Sequence, residues 1–171
     1  IVLSDYGKGV LGKSLLESDK IALAEELMKE AADRGVSLLL PVDHVTGDAE
    51  KKNPMAGASQ IPPDRMGLDI GPKTVAQFID EIRKAKMVLW NGPVGLFEVE
   101  PYSQGSRALA QALAECHPRL VSIIAGGDTD AAVTAAGVAD KITHLSTGGG
   151  ATLEFLEGRE LPGIRALEVA A

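Results

Sequence analysis

The residues of this chain best suited to chemistry lie in two glycine-rich turns near its C-terminal end. The first reads Gly-Gly-Asp-Thr over residues 126–129, and the second reads Gly-Gly-Gly over residues 148–150. An apolar, strand-like run precedes each turn, and a helix-like run follows it. Glycine lets the backbone approach a ligand closely, and the free N–H groups at a helix start favour an anion. Two such turns in one short chain indicate a polyphosphate, and therefore a nucleotide.

An acid and a hydroxyl follow the first pair of glycines. Asp128 and Thr129 would lie at the mouth of the phosphate loop, where a Mg²⁺–phosphate group needs a carboxylate and a hydroxyl. We therefore predict Asp128 as the metal ligand, with Mg²⁺ bound together with the phosphates of a nucleotide. The alternative for either turn alone is a tight strand-to-helix connection that binds no ligand.

Composition narrows the class of protein. The chain has 171 residues, 45% of them hydrophobic but only 4% aromatic, so an aliphatic core of buried strands is expected. A net charge of −7 argues against a general nucleic-acid binder, because phosphate contacts need Lys and Arg. No apolar run is long enough for a membrane span, and the single cysteine, Cys116, fits a reducing cytoplasmic setting. The expected location is cytoplasmic, with no membrane partner.

Strand-like and helix-like patterns alternate along the chain. This alternation predicts an α/β fold, a Rossmann-like three-layer α/β/α arrangement with a mainly parallel sheet. A first helix is predicted after Ser18 or Asp19, either of which could cap it, and Gly35 would end it. Further strands are predicted at residues 1–3, 36–42 (buried), 66–72 (a short strand and turn), 87–90 (buried), 120–124 and 142–145. Further helices are predicted at about 73–85, 103–115, 128–136 and 150–156.

One segment does not follow this alternation. Residues 43–65 carry Gly, Pro, Asn, Lys and Asp without periodicity, which indicates a long excursion with a short edge hairpin inside one domain of residues 1–171. Ligands of parallel α/β sheets bind beyond the carboxyl ends of the strands. Three polar motifs follow predicted strands and are expected at that edge, namely residues 91–93, 126–129 and 147–150.

Several long motifs resemble those of the phosphoglycerate kinase family. They occur in the family's order from about Gly12 to Leu167. The motifs are Gly12-Lys13-Ser14-Leu15-Leu16-Glu17, Leu40-Pro41-Val42-Asp43, Met66-Gly67-Leu68-Asp69-Ile70-Gly71-Pro72-Lys73-Thr74, Val88-Leu89-Trp90-Asn91-Gly92-Pro93-Val94-Gly95-Leu96-Phe97-Glu98 and Ser146-Thr147-Gly148-Gly149-Gly150-Ala151-Thr152-Leu153-Glu154. The resemblance covers the later part of the family's C-terminal, nucleotide-binding domain.

The resemblance implies roles for individual residues. In that family, phosphoryl transfer occurs between 1,3-bisphosphoglycerate and ADP when two domains close. By resemblance, Asn91 would contact the nucleotide phosphates, Leu96 would line the adenine and ribose pocket, and Glu98 would accept hydrogen bonds from the ribose hydroxyls. Asp128 would hold Mg²⁺, and the nucleotide phosphates would be contacted by Gly126, Gly127 and Thr129. The amides of Gly148, Gly149 and Gly150 would donate to the transferring phosphoryl group.

The resemblance also implies what the chain lacks. The family's N-terminal domain, which binds 3-phosphoglycerate, is expected to be absent, so the isolated chain is expected to bind adenine nucleotide with little or no turnover. Loss of neighbouring strands would expose an apolar sheet edge, through which a homodimer could form.

The beginning of the chain differs from this pattern. Residues 1–11 resemble a strand–turn segment of ribokinase-type sugar and heptose kinases, which suggests a chimera that joins two α/β folds, or else a fragment whose beginning was truncated or miscopied. Two further hypotheses therefore remain. One is an engineered or recombined scaffold without a ligand, and the other is a sugar kinase, although the glycine-rich motif with a catalytic Asp typical of such kinases is missing.

Overall fold

A computed structural model describes residues 11–168. The segment 1–10, including the strand predicted at its start, lies outside the described residues. By contacts, the chain divides into two compact units. The first contains the residues up to 80 together with 94–109, and the second contains residues 81–93 and those from 110 onward. The single-domain organisation stays a prediction.

An antiparallel sheet lies in the first unit. Its strands are β1 (His44–Gly47), β2 (Met55–Ala58) and β3 (Met66–Ile70), in the order β2-β1-β3. The hairpin expected within residues 43–65 is thus present, but β1 is the central strand of the sheet, and all four of its residues are buried. In strands of four or five residues, apolar and polar positions alternate over too short a stretch to predict this sheet from the sequence.

The first helix, α1 (Ile21–Asp33), follows a 3₁₀ turn at Ser18–Lys20. The predicted cap is wrong, because Lys20 occupies the capping position and no side chain caps the helix. The predicted end is confirmed. Gly35 has a φ of +67°, a conformation that glycine adopts without strain, and its N–H donates to Ala32 O at 3.1 Å.

The buried strand predicted at residues 36–42 is also wrong. These residues follow the end of α1 without joining a sheet, and Val36, Leu38 and Val42 are 59%, 47% and 44% exposed. A strand requires a neighbour to complete its hydrogen bonds. Among the described residues no strand pairs with this run, although the Val42 N–H donates to Thr74 Oγ1 at 3.0 Å.

A distant carboxylate caps the second helix, α2 (Pro72–Lys84). Asp43, which is 1% exposed, accepts hydrogen bonds from the N–H groups of Lys73 at 3.0 Å and Thr74 at 2.8 Å. Burial raises the pKa of the Asp43 carboxyl, but hydrogen bonds from the Thr74 hydroxyl and both N–H groups outweigh burial and leave it lowered. A third helix, α3, spans Gln104–Glu115.

The second unit contains the parallel sheet that the sequence predicts. Its strands are β4 (Met87–Asn91), β5 (Val121–Ala125) and β6 (His144–Ser146), in the order β4-β5-β6. The strands alternate with helices α4 (Gly127–Ala135), α5 (Gly149–Leu156) and α6 (Pro162–Glu168). The predicted α/β class with a mainly parallel sheet is therefore confirmed in this unit. In the first unit the hairpin and the short strand at 66–70 were expected, but not their joining into one antiparallel sheet.

Strand β4 is less buried than predicted. It lies at the edge of the described sheet, and Met87 and Leu89 are 60% and 36% exposed on the same face as Val121. On the opposite face Ile124 is fully buried. A homodimer through this edge stays a prediction.

Within the described residues, no helix is long and apolar enough to cross a membrane.

Candidate functional site

Three polar loops follow the three parallel strands of the second unit. The register pairs Asn91 with Ala125 and Ala125 with Ser146, so β4, β5 and β6 end side by side at one edge. The loops that begin there are residues 91–93, 126–129 and 147–150. The sequence predicted this placement, and the register confirms it.

Two of these loops approach each other closely. Gly126 has a φ of +96°, and its N–H donates to Ser146 O at 2.8 Å. A Cβ on Gly149 would lie 2.9 Å from Gly126 Cα and 3.2 Å from Asn91 Nδ2. Only glycine therefore fits at both positions without a shift of the backbone, and the Asn91 amide lies beside the point where they meet.

Both helices that leave this edge begin with unpaired donors. In α4 the first intrahelical donor is the Asp130 N–H, to Gly126 O at 3.0 Å, and helix geometry leaves the preceding N–H groups of residues 127–129 without an intrahelical acceptor. In α5 the Thr152 N–H donates to Gly148 O at 3.0 Å, and residues 150 and 151 precede it. Two helix starts therefore present N–H groups beyond the same sheet edge, an arrangement suited to an anion.

The hydroxyl of Thr129 is committed to the protein backbone. Thr129 is 1% exposed, and its Oγ1 accepts from the Gly92 N–H at 2.7 Å and donates to Ala125 O at 3.0 Å. One lone pair remains after these two bonds. The hydroxyl thus joins the loop after β4 to the start of α4, and a phosphate contact at Thr129 would use its N–H group.

Asp128 is the exposed acid of this site. It lies in the first turn of α4, where the helix dipole favours a negative charge. Among the described residues, no three His, Cys, Asp or Glu side chains are grouped to hold a metal ion by themselves. A single carboxylate suits Mg²⁺, which commonly takes one or two protein carboxylates together with phosphate oxygens and water. A Cβ at Gly127 or Gly150 would meet no atom within 4 Å, so these amides face open space.

The two residues predicted to hold the nucleoside belong to the first unit. Leu96 is half-buried, and its N–H donates to Leu68 O of β3 at 2.8 Å. Glu98 is exposed two residues later. The segment is also held at its beginning, where the Val94 N–H donates to the buried Ser106 Oγ at 3.1 Å. We name residues 94–98 the Leu96 segment.

Sequence reasoning missed a buried carboxylate next to the Leu96 segment. Asp69 is 4% exposed, and its two oxygens accept from the N–H groups of Ile70 and Gly105, each at 2.8 Å. Burial raises the pKa of the Asp69 carboxyl to about 6, although the two N–H groups lower it in part. An acid inside an otherwise apolar strand, Met66–Ile70, is the signal that would have identified it.

The first unit also contains an open cavity of about 520 Å³. Its ten lining residues are uncharged, and Gln104 is the one with a polar side chain (the others are Val45, Pro54, Ala56, Ile70, Pro72, Val75, Pro101, Gly105 and Ala108). Such a lining does not suit a phosphate.

The parallel sheet and the glycine-rich turns at the ends of its strands place the chain in the α/β class of proteins. A family model described as phosphoglycerate kinase matches residues 3–159. Phosphoglycerate kinases from Koribacter versatilis and Chlorobium phaeobacteroides are each 53% identical, over 92% of this chain and 40% and 41% of their own length. The solved phosphoglycerate kinase of Coxiella burnetii superposes with a TM-score of 0.85 at 39% identity, over 95% of this chain and 43% of that one.

This chain belongs to the phosphoglycerate kinase family, as the sequence motifs indicated, and it spans about 40% of the length of the curated relatives it matches. The matched range includes residues 3–11. The likeness of this segment to ribokinase-type kinases stays an observation on the sequence alone.

Proposed function

We propose that this chain binds the Mg²⁺ complex of ADP or ATP, as the nucleotide-binding part of a phosphoglycerate kinase. The observation that supports the proposal most strongly is the pair of helix starts beyond one edge of the parallel sheet. The amides of residues 127–129 and 150–151 are free of intrahelical acceptors there and can donate to phosphate oxygens.

Asn91 and Asp128 complete the proposed phosphate site. The Asn91 amide, whose Nδ2 lies 3.2 Å from the Cβ position of Gly149, would donate to a phosphate oxygen near the meeting point of the two glycine loops. Asp128 would hold Mg²⁺, which when bound supplies positive charge between phosphate oxygens. Gly148, Gly149 and Gly150 would turn their amides to the transferring phosphoryl group, where aimed donors stabilise developing charge.

The nucleoside is assigned to the Leu96 segment. A half-buried Leu96 offers apolar contact to an adenine ring, and the exposed carboxylate of Glu98 can accept hydrogen bonds from two neighbouring ribose hydroxyls. These two roles rest on the family resemblance and on the exposure of the two side chains.

We expect the given chain, taken by itself, to show little or no phosphoryl transfer. Transfer requires both substrates in one geometry, and positioning accounts for a large part of such catalysis. The chain corresponds to about 40% of its relatives' length, and no 3-phosphoglycerate site is assigned to it. Nucleotide binding and turnover are therefore separate quantities to measure.

Calorimetric titration with ADP, with and without Mg²⁺, tests the proposal. The variants Asp128→Asn and Asp130→Asn form a matched pair, because each removes one negative charge from the first turn of α4. With Mg²⁺, Asp128→Asn should weaken binding at least tenfold and Asp130→Asn should change it little. Without Mg²⁺, Asp128→Asn should not weaken binding, since it removes a charge that repels the phosphates. No saturable heat at millimolar ADP would overturn the proposal and favour a ligand-free scaffold.

A further inference from the structure

The Asp69 carboxylate joins three segments of the first unit. It lies on β3, accepts the Gly105 N–H from the first turn of α3, and lies against Gly95 of the Leu96 segment. A Cβ added to Gly95 or to Gly105 would overlap atoms of this carboxylate. Both glycines therefore lie so close to the buried Asp69 carboxylate that a residue with a Cβ would not fit at either position.

The Leu96 segment has few other anchors. Its backbone is tied to β3 by the Leu96 N–H to Leu68 O bond and to α3 by the Val94 N–H to Ser106 Oγ bond. Gly95 lies between these two anchors, against the Asp69 carboxylate and close to the Tyr102 carbonyl oxygen. The Asp69 carboxylate is the side chain that limits how far the backbone between Val94 and Leu96 can move towards β3.

We propose that Asp69 is a positioning residue for nucleoside binding, which sets the backbone path of the Leu96 segment and so the placement of Leu96 and Glu98. This inference rests on the proposed function. Asp69 is buried beneath the segment and does not contact the nucleotide itself. Displacement of the segment is expected to weaken binding of the nucleoside and to leave binding of phosphate alone unchanged.

The first test needs no nucleotide. The variant Asp69→Asn keeps the shape of the side chain but replaces one acceptor oxygen with a donor, so one of the two N–H partners loses its bond. Asp64→Asn, at an exposed turn of the same unit, removes the same charge as a control. Amide hydrogen exchange at Val94 and Leu96, whose N–H groups are hydrogen-bonded to Ser106 and Leu68, should rise at least tenfold in Asp69→Asn and stay unchanged in Asp64→Asn. Unchanged exchange in both variants would overturn the proposal.

The unmodified chain gives a second test that does not depend on a variant folding. The ¹³C carboxyl signal of Asp69 reports its own protonation, and its pKa is expected at about 6. Amide shifts of Gly95 and Gly105 should follow the same midpoint, because both residues touch this carboxylate. The neighbouring charged or titratable groups include Asp43 and His44 at the start of β1, Tyr102 next to Gly95, and Glu98 and Glu100 beside the segment, and their own side-chain signals separate them. The proposal would be contradicted if the amide shifts of Gly95 and Gly105 did not change with pH while the Asp69 carboxyl signal titrated.

Ligands separate this inference from the proposed function. If the unmodified chain binds Mg²⁺-ADP, Asp69→Asn should weaken that affinity about tenfold and leave Mg²⁺-pyrophosphate affinity unchanged. Equal loss for both ligands would mean a general structural role and would overturn the inference. If the unmodified chain binds neither ligand, the proposed function fails, and the exchange and titration results still decide whether Asp69 positions the segment.

Discussion

The contact between the two glycine loops can be tested with a matched pair of substitutions. Gly149 and Gly150 are neighbours in the first turn of α5, and neither has a positive φ. A Cβ on Gly149 would lie 2.9 Å from Gly126 Cα, whereas a Cβ on Gly150 would meet nothing within 4 Å. Both variants therefore change the helix propensity in the same way. They differ because only the new methyl group of Gly149→Ala overlaps with Gly126.

The size of the difference follows from that distance. Carbon atoms pack best at about 3.5–4.0 Å, so the Gly149→Ala methyl group would be roughly 0.6 Å or more too close. Overpacking of this kind costs about 1–3 kcal/mol, while replacing glycine in a helix gains up to about 1 kcal/mol in both variants. We expect Gly149→Ala to be less stable than Gly150→Ala by about 2 kcal/mol.

Trp90 provides the assay. It is the only tryptophan, it lies in β4 of the second unit, and its Nε1 donates to Gly92 O at 2.6 Å. Its fluorescence during urea unfolding reports the unit that contains both loops. With a slope of about 1–2 kcal/mol per molar urea, a difference of about 2 kcal/mol separates the two midpoints by roughly 1–2 M. Coincident midpoints would refute the close approach of Gly126 and Gly149.

Two further predictions concern buried polar groups. Because hydrogen bonds leave the folded-state pKa of Asp43 below its unfolded value, the stability it contributes is present above about pH 4 and is lost as the pH falls through the folded pKa. Asp43→Asn should therefore flatten the acid side of the stability–pH profile measured by circular dichroism, and an unchanged acid side would contradict this assignment. Thr129→Val should leave the half-buried Gly92 N–H without its acceptor and cost about 1–3 kcal/mol, whereas Thr129→Ser should keep most of the stability in the same urea titration. Equal losses in both variants would show that the hydroxyl is not the stabilising group.

Sequence patterns predicted the second unit well because its signals are local. Apolar runs end at glycine-rich turns, and amphipathic runs follow them, so β4, β5, β6 and the helices between them were expected within one or two residues. The shared edge of the three loops followed from the parallel arrangement alone. The presence of glycine at 126 and 149 was visible, but the contact between them depends on the register of β5 and β6.

The first unit was predicted less well because its structure depends on partners far along the chain. Asp43 caps a helix that starts about 30 residues later, and Asp69 accepts from Gly105, 36 residues away. Neither bond leaves a local pattern, although a buried acid beside apolar residues is a usable signal. Residues 36–42 show the opposite failure: their apolar run suggested a strand, but within residues 11–168 no strand pairs with it.

Amide NMR of the unmodified chain during titration with Mg²⁺-ADP tests the account most directly. We predict that the largest shifts fall on the amides of residues 127–129 and 150–151, at the two helix starts, and that they saturate together. Core amides of β5 should move little. Shifts spread evenly over the chain, or confined to residues away from these two helix starts, would contradict the claim that the glycine-rich turns bind the phosphates.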